Sequence, residues 1–249
     1  EIVRQRLENW PPQRTGYHWP GYTWDHTLRV VNLSVAMGRE TGADVRVIRY
    51  AALLHDIAKP AGDEHARIGA QEAQNLMDDL EFDPHFIDRV TSAIATHAGG
   101  TDPADPPENH LLSDADFIDA NFGLVGTWRF ITIRGGRGEP LEAIASDMDE
   151  WLARKDELSA RLVTDRGTRI ARERIERMQR FCTNLQKHFS ESTQKHPAPI
   201  WFARFIHAHA DSGRMMNQLY ELSAIDNGTL PPGAPNLIRR LSREVEGLL

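Results

Sequence analysis

Residues 50–63, YAALLHDIAKPAGD, set a histidine and an aspartate directly behind an apolar run. Ala51, Ala52, Leu53 and Leu54 read as the buried end of a helix, and Lys59, Pro60 and Gly62 as the turn that ends it. Packing gives no reason for His55 and Asp56 at that point. A buried polar pair is costly unless something occupies it. The occupant that suits neutral imidazole beside carboxylate is a divalent metal such as Zn, Mn or Fe. The two side chains lie about 100° apart on an ideal helix. Both reach one ion only if the helix end distorts, which Pro60 favours.

The rest of the chain patterns almost entirely as helix, with hardly any period-two alternation. Helices are expected from Glu1 to Trp10, Asp25 to Thr41, Val45 to Ala58, Glu64 to Leu80, Pro84 to His97, Asn109 to Asn121 and Leu124 to Ile133. Asp44 and Asp63 read as N-caps and Pro84 as a first-turn residue. Two long amphipathic stretches, 141–162 and 166–189, follow the glycine turn RGGRG of 134–138. Gly123 and Gly167 interrupt the helical pattern. Residues 11–24, rich in Pro, Gly and aromatics, read as an ordered loop. The character changes after 190, where one or two helices with Trp201, Phe202, Phe205 and Leu219 inside precede a loop and a last helix. The expected fold is all-α: a helical bundle over 1–189 with a helical extension, 190–249, packed on it.

Net charge is −7 and no long basic face is visible, so duplex nucleic acid is not an expected partner. A local cluster of Lys and Arg still suits a small phosphorylated substrate. Cys182 is the only cysteine, which excludes a disulfide framework and a cysteine metal site and fits a cytoplasmic location. No apolar run approaches the length of a membrane span.

Six residues near predicted helix ends can converge on one point: His26, His55, Asp56, His65, His97 and Asp116. Asp114 and Asp116 point to nearly opposite sides of their helix, whereas Asp116 and Asp119 share a face. One of the latter pair can bind metal while the other orients a ligand or substrate. His18, His85, His110, His188, His196, His207 and His209 read as surface, capping or hydrogen-bonded residues.

His26, the His55-Asp56 doublet and a downstream aspartate form an H…HD…D pattern that resembles the HD superfamily of metal-dependent phosphohydrolases. LLHDIAKP and SDADFIDANFG carry the likeness. In that family the last metal aspartate follows the alanine of an AD motif, which implies Asp116 rather than Asp114. DADFIDANFG…RFITIRGGRGEP, WLARKDEL and TDRGTRIARERIERMQRF extend the resemblance, over about residues 20–189, to bacterial HD nucleotide pyrophosphatases. HARIGAQEA and AIATHAGG, with His65 and His97, resemble the extra histidines of two-metal HD enzymes. These include dinucleoside tetraphosphate hydrolases, cyclic dinucleotide phosphodiesterases and di-iron oxygenases.

Such a site implies one or two divalent transition ions (Mn, Fe, Zn, Co or Ni) and hydrolysis of a small phosphorylated substrate, a nucleotide above all, by metal-activated water. His26, His55, Asp56 and Asp116 form the core set and His65 and His97 the second. Lys59, in the turn past Asp56, suits phosphate as a point charge. Glu64 or Asp119 is the candidate general base. Arg29, one helical turn from His26, and Arg134 and Arg137, flanking the glycine turn, are candidate phosphate contacts. Tyr22 or Trp24, with Trp19, is a candidate base-stacking residue. The alternatives are a dinucleoside polyphosphate or cyclic nucleotide hydrolase, a di-iron oxygenase, and a non-catalytic nucleotide or metal sensor. Trp201 and Phe205 either complete the core, the preferred reading, or form a homodimer face.

Overall fold

The computed structural model describes residues 1–8, 20–190, 197–211 and 214–248. His18, Trp19 and His196 lie outside the described residues. Among the described residues every regular element is a helix, so the chain is all-α. It divides into two compact units. The first comprises Glu1–Ile118, Val163–Gly167 and Glu246–Leu248, and the second Asp119–Leu162 and Thr168–Val245.

The first unit contains α1 (Ile2–Glu8), α2 (Pro20–Thr41), α3 (Val45–Leu54), a 3₁₀ segment (Lys59–Glu64), α4 (His65–Asp79), α5 (Pro84–Thr96) and most of α6 (Pro107–Asn121). Asp44 caps α3 by accepting from the Arg46 and Val47 amides at 3.0 and 3.2 Å. Asp83 caps α5 through the Phe86 amide at 3.0 Å, with Pro84 in the first turn. These caps satisfy amides that have no partner inside the helix. α3 packs on α2 and α5, and α5 on α4, around Ile48, Ala51, Ala52, Val90, Ala93 and Ile94. Small residues let α4 approach closely: a Cβ at Gly69 would lie 3.4 Å from the His55 carbonyl oxygen.

Several boundaries differ from expectation. Residues 20–24 begin α2 rather than ending a loop, because Pro20 fits a first helical turn. The helix expected through Ala58 stops at Leu54. Pro60 then opens the 3₁₀ segment, where its missing N–H costs nothing. Asp63 does not cap α4; Glu64 holds that position, without a side-chain bond.

Asp114 ties residues 163–167 into this unit. It accepts from the Val163 and Thr164 amides, both at 2.9 Å, and from the Thr164 hydroxyl at 2.6 Å. This also explains Gly167, where a Cβ would run into the Asp114 carboxylate.

The second unit holds α7 (Gly123–Gly136), α8 (Leu141–Ser146), α9 (Met148–Ser159), most of α10 (Asp165–Ser190), α11 (Pro197–Ala208), α12 (Met215–Ala224) and α13 (Ala234–Val245). The amphipathic stretch 141–162 is divided between α8 and α9, which meet at Asp147. The expected RGGRG turn is largely helical: α7 runs to Gly136, and the turn falls at Arg137 and Gly138. α7, α11 and α13 pack around Trp128, Phe202, Ile206 and Leu241. The helices after 190 therefore share a core with α7 and α8, and Trp201 and Phe205 are partly buried against it. No described helix is long and apolar enough to cross a membrane.

Glu244 anchors this core. It is 2% exposed, accepts from the Val125 amide at 3.2 Å and pairs with Arg177 at 3.0 Å. Burial pushes its carboxyl pKa up, against the pull of Arg174 and Arg177. Gly123, at φ 89°, leaves it room, since a Cβ there would meet the carboxylate. Removing one member of a buried charge cluster strands the others. Glu244→Ala is therefore expected to cost about 3–5 kcal/mol. Glu176→Ala, at the exposed Arg180 pair, is expected to cost under about 1 kcal/mol. Urea denaturation of the two variants checks both.

Candidate metal centre

Helix ends set the site. His55 and His97 occupy the C-cap positions of α3 and α5, and His65 opens α4 after the 3₁₀ segment. Each turns its Nδ1 back onto a carbonyl three residues earlier. His55 bonds Ala52 at 2.8 Å, His65 bonds Gly62 at 2.7 Å and His97 bonds Ile94 at 2.6 Å. A carbonyl only accepts, so each Nδ1 carries the proton and each Nε2 presents a lone pair. This is the outer bond that orients metal-binding imidazoles.

The Nε2 atoms meet around Asp56. His65 and His97 bring theirs to 3.2 Å of one another, and to 3.5 and 3.8 Å of Asp56 Oδ1. His55 Nε2 lies 3.6 Å from Asp56 Oδ2 and 3.8 Å from Asp116 Oδ1. His26 Nε2 lies 2.9 Å from Asp116 Oδ1 and 3.9 Å from Asp56 Oδ2. Donor atoms fall into two overlapping triads, His26–His55–Asp116 and His55–Asp56–His97, each within 4.8 Å. His55 belongs to both.

These residues fit a divalent ion on their own chemistry. His55 Nε2 and Asp56 Oδ2 are buried with no hydrogen-bond partner. Two Nε2 lone pairs facing each other at 3.2 Å repel unless a cation or proton relieves them. The Lys59 ammonium supplies some relief, 3.3 Å from His65 Nε2 and 2.9 Å from Asp56 Oδ1.

Charge states suit ligation. Burial pushes the His55 pKa down to about 4, against the pull of Asp56 and Asp116. Burial and the Lys59 charge also lower His65. Burial opposes ionisation of Asp56, but Lys59 and His55 outweigh it and hold the carboxyl well below the usual range. Asp116 is lowered too, burial being outweighed by its bond to His26. For Lys59, burial is outweighed by Asp56 and Asp116, so its pKa rises. At neutral pH the cluster therefore holds neutral His55 and His65, two carboxylates and one ammonium.

The other candidates are placed differently. Tyr22 is 2% exposed and stacks on His26 with centroids 5.9 Å apart, and the fully buried Arg29 lies over the Tyr22 ring at 5.7 Å. Trp24 is half-buried. Glu64 is exposed and paired with Arg67 at 2.8 Å. Asp114 serves the backbone of 163–164, leaving Asp116 as the aspartate of that pair at the cluster. Asp119, buried, belongs to the second unit. Arg134 and Arg137 do too, and Arg134 is paired with Glu139 and Asp147. His110, His207 and His209 bond backbone carbonyls of Asp102, Glu139 and Phe205. Sequence reasoning missed the three orienting carbonyls. Their signal was a histidine one residue past a helix end, at His55 and His97.

Residues 23–121, which contain all six clustered side chains, match the family model described as HD domain. Over these residues the chain is similar to HD domains, and its fold is similar to that of solved proteins described as HD superfamily hydrolases. It is similar to the uncharacterized protein YpgQ of Bacillus subtilis, 28% identical over 177 residues, 67% of this chain and 84% of YpgQ. The crystal structure of YpgQ in complex with ADP matches with a TM-score of 0.54 at 25% identity, over 76% of this chain and 96% of that one. A "predicted HD superfamily hydrolase" from an uncultured Thermotogales bacterium gives 0.52 at 25% identity, over 77% and 90%. Ribonuclease Y of Cutibacterium acnes is 32% identical over 130 residues, 50% of this chain but 20% of that enzyme.

The lowered His55 pKa fixes a pH dependence. Between 6.5 and about 4 the unfolded chain binds a proton at this residue before the folded chain does. Stability therefore rises with pH across that window and falls on acidification. Urea midpoints of chelator-treated protein are expected to be lower at about pH 5 than at about pH 7, with a smaller difference in His55→Gln. Equal midpoints in the wild type would contradict the buried neutral imidazole.

Proposed function

We propose that the chain is a metal-dependent phosphohydrolase that acts on a nucleotide or related small phosphate ester or anhydride. The observation that carries it is the meeting of outward-facing Nε2 atoms and two ionised carboxylates at buried positions with unmet bonding capacity. In this reading His26, His55, Asp56 and Asp116 hold one divalent ion, and His65 and His97 add a second position. A bound ion of this kind brings the pKa of water towards neutrality and polarises a phosphoryl oxygen.

The chain's own groups do the rest. Lys59, 13% exposed at its side chain and bonded to Asp56, offers a positive charge to a phosphoryl oxygen. Tyr22 and Arg29 hold His26 in place from behind, and Trp24 is the aromatic left to stack on a base. Glu64 takes up a proton if the cluster itself does not. The ADP seen with YpgQ supports a nucleotide as the substrate class.

Metal content is the first test. Protein purified without chelator is expected to hold about two equivalents of transition metal, falling to about one when His65 and His97 are both replaced by alanine. One equivalent in both proteins would leave the mononuclear set. The second test is release of phosphate or pyrophosphate from nucleoside di- and triphosphates with Mn added. His55→Ala, still folded by circular dichroism, is expected to drop to background. Turnover confined to dinucleoside polyphosphates or cyclic nucleotides would shift the substrate within the class. Iron with O₂ uptake would replace hydrolysis by oxygenation, and nucleotide binding without any turnover would leave a sensor.

A further inference from the structure

α11 is apolar almost all round: in PAPIWFARFIHA only Arg204 and His207 are polar. A helix of that kind is normally buried on every side. One face obeys, since Phe202, Ala203 and Ile206 are at most 1% exposed in the core of the second unit. His207 is engaged with the Glu139 carbonyl, 2.7 Å from its Nε2. The other face carries Ile200, Trp201 and Arg204, three and four residues apart, and it lines a groove of about 580 Å³. Thr229 and Leu230 also line it, with His188 of α10. That volume falls in the range of small-molecule pockets.

The groove has a rigid aromatic wall and one distinctive charge. Trp201 stacks on Phe205 with centroids 6.4 Å apart and ring planes 27° apart, and Phe205 meets Trp128 edge-on at 6.1 Å. These contacts hold the indole in place. Arg204 is exposed and is the only residue of α11 with a permanent charge. No carboxylate lines the groove among the described residues, and Arg204 makes no ion pair among them. Thr229 donates its hydroxyl proton to the Asp226 carbonyl at 2.8 Å, so towards the groove it can only accept. Apolar walls and one guanidinium without an acid match a ligand with a flat apolar body and one negative charge.

We propose that this groove binds a small aromatic carboxylate. Trp201 and Leu230 cover the ring system, and Arg204 takes the carboxylate in its planar fork. A second copy of the chain fits less well, because a twofold contact over this face would bring Arg204 towards its own copy with no acid in the groove between them. The lining residues all belong to the second unit, so the proposal does not rest on the metal cluster.

The test is calorimetric titration of the chelator-treated full chain with 2-naphthoate, and with uncharged 2-naphthalenemethanol, which has the same ring system. The wild type is expected to bind naphthoate saturably and the alcohol about tenfold or more weakly, the difference of one charge-assisted bond. Arg204→Gln is expected to lose about tenfold for naphthoate and to bind the alcohol as the wild type does. Arg172→Gln, at an exposed arginine of α10, is expected to bind both as the wild type does. No saturable naphthoate binding in the wild type, equal binding of the alcohol, or unchanged binding in Arg204→Gln overturns the site. A wild-type dimer that Trp201→Ser dissociates would assign the face to a second copy and overturn it as well. A measurement on the wild type alone guards against misfolding of a variant: naphthoate is expected to slow phenylglyoxal modification of Arg204, read by peptide mass, and no protection counts against the site. Metal content is expected to be the same in Arg204→Gln as in the wild type, so failure here and failure of the phosphohydrolase reading are distinguishable.

Discussion

Three backbone carbonyls, those of Ala52, Gly62 and Ile94, govern the geometry of the cluster. Each accepts an imidazole Nδ1 proton and so turns the opposite nitrogen towards Asp56. Two of them belong to the last turns of α3 and α5, where carbonyls lack the usual amide four residues on, and Ile94 accepts the His97 backbone amide as well, at 3.5 Å. One bond thus caps a helix and orients a ring at once. The arrangement needs both helices to stop where they do, and the shortness of α3 relative to its apolar pattern follows from that.

Burial would otherwise make this cluster untenable. Asp56 is fully buried, and an isolated carboxylate there would protonate. Lys59 prevents it at 2.9 Å, held by the 3₁₀ turn that Pro60 opens. His55 and His65 stay neutral beside it, because desolvation resists charging them. The result is a site with lone pairs and negative oxygens aimed at a small volume, and one ammonium at its rim.

The same device recurs in each unit. A buried carboxylate is accommodated by a glycine in the neighbouring helix: Asp114 by Gly167, and Glu244 by Gly123. In both cases the carboxylate takes backbone amide protons, from residues 163–164 and from Val125. Each closes a contact between residues far apart in sequence. The glycines that interrupt the helical pattern are therefore steric requirements of tertiary structure rather than defects in the helices.

The sequence by itself determined that the chain is helical, where most helices begin, and which polar residues had no packing reason to be where they are. Period and capping are local, so Asp44, Pro84 and the His55-Asp56 doublet were legible one turn at a time, whereas the Asp83 cap was found only in the structure. Only the tertiary structure decided that Asp114 faces residues 163–164 while Asp116 faces His26, since helical spacing separates their faces without saying what each face meets. It also decided that Tyr22 is covered by His26 and Arg29, and that Trp201 and Arg204 line a groove with residues 229–231. Burial and charge balance depend on neighbours brought together by packing, and no local pattern along the chain carries them.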